Sequence, residues 1–205
     1  MGSERGPMIP EASNSQSLDD LLRRLNSKLD SWQVRALFLG AQASAKVPGF
    51  PQHLLHDLFD ADFVLDDGIH DANFNVIVDT WNQLVDERRV GAVRLSDLRV
   101  GDPPTASDLA AVAERRAGEI SWFLRGVDAG GKQSTELGPE GREYLRRLTH
   151  AAGFCEVYKL VLDNKQDLKQ HEVSESVVVL ARLTIAVITL IEGLLIQAEA
   201  KWELG

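Results

Sequence analysis

The chain has 205 residues, 22 basic and 31 acidic side chains, a net charge of −9, one cysteine and 44% hydrophobic residues. This acid excess repels phosphate backbones and anionic headgroups, which excludes nucleic acids and anionic membranes as charge-driven partners. A lone cysteine forms no internal disulfide and supports no all-cysteine zinc site, so the expected address is the reducing cytoplasm. The length suits one domain with a sizeable core.

Residues 1–16, rich in Gly, Ser, Pro and Glu and lacking an apolar run, read as a disordered leader, and residues 17–205 as a single helical domain. Ser17 with Asp20 makes a capping-box-like start, after which Leu18, Leu21, Leu22 and Leu25 recur at helical spacing. Ser31 can cap a second helix carrying Val34, Leu37, Phe38, Ala41 and Ala45, which Pro48 and Gly49 stop. Pro51 opens a short third helix with Leu54, Leu55, Leu58 and Phe59 on one face. Asp67 and Gly68 introduce a longer one in which Ile69, Ala72, Val76, Ile77, Trp81, Leu84 and Val85 keep the helical period, making Trp81 a core residue.

Gly91 to Pro104 interrupts the pattern; Val93, Leu95, Leu98 and Val100 alternate weakly, enough for a short extended segment but not for a sheet. Leu109, Val112, Ala113, Ala117, Ile120, Phe123, Leu124 and Val127 form the clearest amphipathic helix, with Asp108, Glu114, Arg115 and Glu119 expected to face water, ended by Gly126, Gly130 and Gly131. Pro139 suits the first turn of the next, with Leu145 and Leu148 on its face, and Gly153 reads as a break before Phe154, Val157, Tyr158 and Val161. A polar run from Asp163 to Glu172 precedes the last helix. Its stretch Val177 to Ile196 approaches the ~20 apolar residues of a bilayer span. Arg182 and Glu192 oppose insertion, so it reads as a helix buried nearly all round in the core or at a dimer interface. The fold class is all-α: a single-domain bundle of roughly seven or eight helices.

Several blocks, in order, resemble the YecA/YgfB family of small bacterial proteins. They are Leu37-Phe38-Leu39-Gly40, Leu54-Leu55-His56-Asp57-Leu58, the loop from Leu98 to Pro104, Trp122-Phe123-Leu124-Arg125-Gly126-Val127, and Gly138 through Glu140, Glu143, Leu145 and Leu148 to Phe154. The likeness covers roughly Ser31 to Phe154 and rests on order and interval. The chain departs from the pattern at Glu119, where an aromatic is usual nearby, and at Val157 to Leu162, which replaces an acidic run. With one cysteine it also lacks the zinc motif some relatives append. The resemblance implies an all-helical, dimeric cytoplasmic protein and brings no catalytic residues with it.

Candidate chemistry concentrates between His53 and Asp71. Imidazoles and carboxylates of His53, His56, Asp57, Asp67 and His70 are the right types for a first-row metal, with His53 and His56 one turn apart. Against this, His53, His56 and Asp57 lie opposite the apolar face, as a solvated surface would. Gly126 to Lys132 has the glycine and lysine spacing of a phosphate-binding loop, but Gln133 stands where Ser or Thr must ligand magnesium, and the segment trails a helix. Arg146 and His150, one turn apart, suit an exposed helix face, and Cys155 beside Phe154 suits a core.

The sequence therefore favours a non-enzymatic protein that acts through protein contacts, without a cofactor, nucleic acid or membrane. It is expected to be a homodimer whose interface draws on Leu183, Val187, Leu190, Ile191 and Leu194, with Trp122 as an exposed aromatic. The alternative is a metal-binding protein or metal-dependent hydrolase using the His53 to Asp71 cluster.

Overall fold

Side-chain caps set where the helices begin. Ser17 Oγ accepts the Asp20 N–H at 3.2 Å, and Thr105 with Asp108 closes a reciprocal capping box. The Thr105 amide and hydroxyl both donate to the Asp108 carboxylate, which holds its pKa below the ordinary range. A computed structural model describes residues 17–44, 49–59, 71–98, 100–130, 137–165 and 168–202. Among them are seven α-helices, one 3-10 turn and no strand. The chain is an all-α multi-helix bundle. The helices are α1 (Leu18–Arg24), α2 (Ser31–Ser44), α3 (Leu55–Leu58, entered through the turn Gln52–Leu54), α4 (Asp71–Arg89), α5 (Ala106–Ala129), α6 (Gly138–Asp163) and α7 (Gln170–Trp202). The leader at 1–16 and the expected helix start at Asp67 and Gly68 lie outside the described residues.

α2 is the central helix. Every residue from Ala36 to Ser44 is buried, because this stretch has no charge and its small residues let neighbours approach. Its most extensive partner is α5, which packs in turn on α6. Phe38 meets Phe50 and Trp81 edge-on at 5.5 and 5.6 Å between ring centroids, and Trp81 is buried as the helical period predicts. A smaller cluster of Leu109, Ala110, Ala113, Leu162, Val173 and Leu180 joins α5, α6 and α7.

Two expectations are corrected. α6 runs unbroken through Gly153, because Leu148, Ala152, Cys155 and Leu162 keep one continuous buried stripe on either side of it. Helices that do stop at a glycine are α5, whose C-cap is Gly130, and α4. The Ala92 N–H bonds the Glu87 carbonyl at 2.8 Å and Gly91 N–H bonds Arg88 at 3.0 Å, a closure that places Gly91 at φ 62. The second correction concerns α7, which is buried along one side only; α2 takes the all-round burial expected of it.

Residues 92–98 have no regular structure, and Val93 and Ser96 hold them down. Val93 is buried, while Ser96 donates both its N–H, at 2.7 Å, and its hydroxyl, at 2.5 Å, to Glu119 Oε1.

Candidate interaction surface

A helix placed at the edge of a bundle should bury one stripe and present polar residues outward. α7 buries its stripe through Val173, Leu180, Val187, Ile191, Leu194 and Leu195. Its outward side is apolar as well: Val177, Val178, Ile185 and Ile196 are exposed, Ile185 by 65% and Ile196 by 66%. The most apolar 18-residue window within Gln170–Ala198 has a mean hydropathy of 2.2, yet only 22% of it is buried. α6 lies beside α7, with Tyr158 donating to Ser176 Oγ at 2.8 Å and the Tyr144 ring against Gly193. It too exposes Phe154, Val157, Leu160 and Val161. On the other flank of α7 a groove of about 170 Å³ is lined by Leu98, Val100, Val112, Val177, Ala181 and Thr184.

This changes which residues of α7 can meet a partner. Val187, Ile191 and Leu194, expected at the interface, are fully buried in the chain's own core, and Leu183 and Leu190 pack against that core half-buried. They hold α7 in place, and the outward positions belong to other residues of the helix. Trp122 is half-buried against the core and carries the Arg125 guanidinium over its ring at 4.9 Å. It lines a cleft of about 410 Å³ together with Lys28, Gln33, His56 and Arg125.

Beneath the groove lies a buried ion pair, Arg116 with Glu119, which corrects the expectation that Glu119 faces water. Arg116 donates to Glu119 Oε2 at 2.5 Å and to Thr184 Oγ1 on α7 at 3.1 Å, with side chains only 8% and 3% exposed. Glu119 has both oxygens satisfied, one by Arg116 and the other by Ser96. The pair therefore pins both the 92–98 segment and α7 to α5. Arg116 and Glu119 lie three residues apart on a face otherwise apolar, which was the available signal.

Of the proposed metal ligands, His53, His56 and Asp57 lie among the described residues. His53 donates from Nε2 to the Ala129 carbonyl at 2.6 Å, which removes that nitrogen as a ligand, and Asp57 pairs with Arg125 at 2.5 Å. His56 is exposed, and Asp67 and His70 lie outside the described residues. Among the described residues no group of three or more His, Cys, Asp or Glu converges. Gly126, read as part of a phosphate-loop spacing, is buried within α5 against α2, so the segment does not open as a loop there. Arg146 is engaged by Glu143, which also takes Arg147; the two guanidiniums hold the Glu143 pKa at about 2. Burial pushes the Cys155 thiol up to about 11.

Comparison of the chain with known protein families, characterised proteins and solved structures finds no match.

Proposed function

We propose that the chain is a non-enzymatic helical protein that works through protein-protein contacts, as a cytoplasmic homodimer joined through its C-terminal helix. The observation that carries this reading is the apolar outward side of α7, exposed in a single copy over much of a helix whose opposite side is already anchored in the core. Apolar patches of this extent on a soluble chain mark contact sites. The net charge of −9 supports the same placement: two acidic bodies repel, and α7 carries no acidic residue between Glu175 and Glu192. The YecA/YgfB resemblance, which implies a dimer without catalytic residues, agrees with it.

Light scattering at micromolar concentration tests the reading. A mass of two chains is expected, falling to one chain in an Ile185→Asp variant that keeps its helical circular dichroism. A wild-type protein that is strictly monomeric overturns it.

A further inference from the structure

α7 carries two seams of the same spacing. The inward one runs through Val173, Ser176, Leu180, Leu183, Val187 and Leu190 in alternating steps of three and four, all buried or packed on the core. The outward one repeats those steps through Ser174, Val178, Ala181, Ile185, Ile188 and Glu192, with Val178, Ala181 and Ile185 exposed. A 3.5-residue apolar repeat is what keeps one helix against another over several turns. The first seam has its helices within the chain. The second has the same pattern and lies open from Ser174 to Ile185, with Ile188 and Glu192 half-buried.

Resting on the homodimer reading, we propose that the outward seam packs antiparallel against the same seam of a second copy, with the two-fold axis level with Leu183. That register sets Ile185 against Ala181 of the partner subunit and Val178 against Ile188 of the partner subunit, large side chains facing smaller ones at each layer. It also sets Ser174 against Glu192 of the partner subunit, so the only carboxylates at the seam stand at its two ends. Arg182 is the sole charge between Glu175 and Glu192 and stands on the flank, exposed. A second copy is therefore the occupant that an acidic chain can accept here without pressing acidic faces together.

The area agrees. With the axis level with Leu183 the two copies of α7 overlap over residues 170–196, roughly 40 Å of helix about 10 Å across. One face of that overlap offers about 400 Å². The groove along Leu98, Val100 and Val112 and the exposed side chains of α6 extend this toward the ~800 Å² per partner of a stable interface.

Cysteine pairing combined with light scattering tests the register. Wild type is expected to be dimeric, with Ile185→Asp and Val178→Asp each weakening the dimer by about a hundredfold while leaving helicity unchanged, since a carboxylate would be buried without a partner. On oxidation the double variant Ala181→Cys/Ile185→Cys is expected to cross-link, and each single variant is not; Cys155 is buried and stays silent in all of them. Dimers that survive both aspartates overturn the seam and leave the homodimer standing. Cross-linking by Ile185→Cys alone points to parallel helices and overturns the register. A wild-type monomer, including one that instead partitions onto phosphatidylcholine vesicles, overturns the seam and the homodimer together.

Discussion

Gly40 on α2 and Gly126 on α5 are reciprocal: a Cβ on Gly40 would overlap the Phe123 carbonyl of α5, and a Cβ on Gly126 would overlap the Leu37 carbonyl of α2. The two backbones therefore touch where side chains normally separate helices. Gly130 continues the contact one turn on, where a Cβ would stand 2.6 Å from the Ala41 carbonyl. This crossing makes α2 the buried centre of the bundle.

Substitution at the crossing is expected to be destabilising out of proportion to the methyl added. Gly126→Ala forces two helix backbones apart, beyond what side-chain rotation relieves, so a loss of about 3 kcal/mol or more is expected in urea unfolding. Gly153→Ala is the control. It lies within α6 with nothing within 4 Å of the added Cβ, and should stabilise by about 0.5–1 kcal/mol because alanine favours the helix. Equal effects at the two positions would remove the close-contact account of Gly126.

The Arg116–Glu119 pair gives a second test. Arg116→Leu leaves Glu119 buried beside only Ser96 and releases Thr184, so a destabilisation of about 3–5 kcal/mol is expected. Arg116→Leu/Glu119→Leu should lose less than the single variant, because no charge remains buried. A double variant as unstable as the sum of the two singles would show that the charges do not depend on one another.

Cys155 is fully buried, and desolvation holds its thiol near about 11, so little thiolate exists at neutral pH. Folded protein should resist iodoacetamide at pH 8 while urea-unfolded protein reacts within minutes. Fast labelling of the folded state would mean that α6 opens from α5 far more often than its packing suggests.

What the sequence made legible divides along physical lines. The cap of α1 was readable because it needs particular residue types at a fixed offset, Ser17 with Asp20, whereas Ser31, expected to cap α2, is its first helical residue and Asp30 stands at the cap. Stripes on two-sided helices were readable too, as with Leu109, Ala113, Ile120 and Phe123 on α5. Gly153 misled because a glycine signals a break only when nothing else holds the helix, and the buried stripe through Ala152 and Cys155 holds this one. On α7 both sides are apolar, so periodicity alone offered two seams and could not rank them; Val187, Ile191 and Leu194 turned out to face inward. Proximity in sequence groups the candidate ligands between His53 and Asp71, of which His53, His56 and Asp57 lie among the described residues. His53 and Asp57 are instead spoken for by Ala129 and Arg125, partners some seventy residues away.

The junction between α6 and α7 should carry a pH signature. Glu172 accepts from Lys165 Nζ at 2.8 Å and from the Lys169 N–H at 2.9 Å, and these two hydrogen bonds, the lysine's first, lower its pKa to about 2. An unfolded glutamate titrates near about 4.3. Because the folded value is the lower one, the stabilisation is complete above the unfolded value and is lost as pH falls through about 2. Lys165 is shifted upward by the same hydrogen bond, so its share persists below the ordinary lysine range and fades as pH rises past it. Glu172→Gln keeps one oxygen as acceptor for the Lys169 N–H, and removes the charge together with the oxygen that accepts from Lys165 Nζ. The difference in Tm between wild type and this variant should therefore be steady from pH 6 to 8, close between about pH 4 and about pH 2, and shrink in high salt. A difference that stays constant down to pH 2 would show that the carboxylate's charge has no part in holding the two helices at this turn.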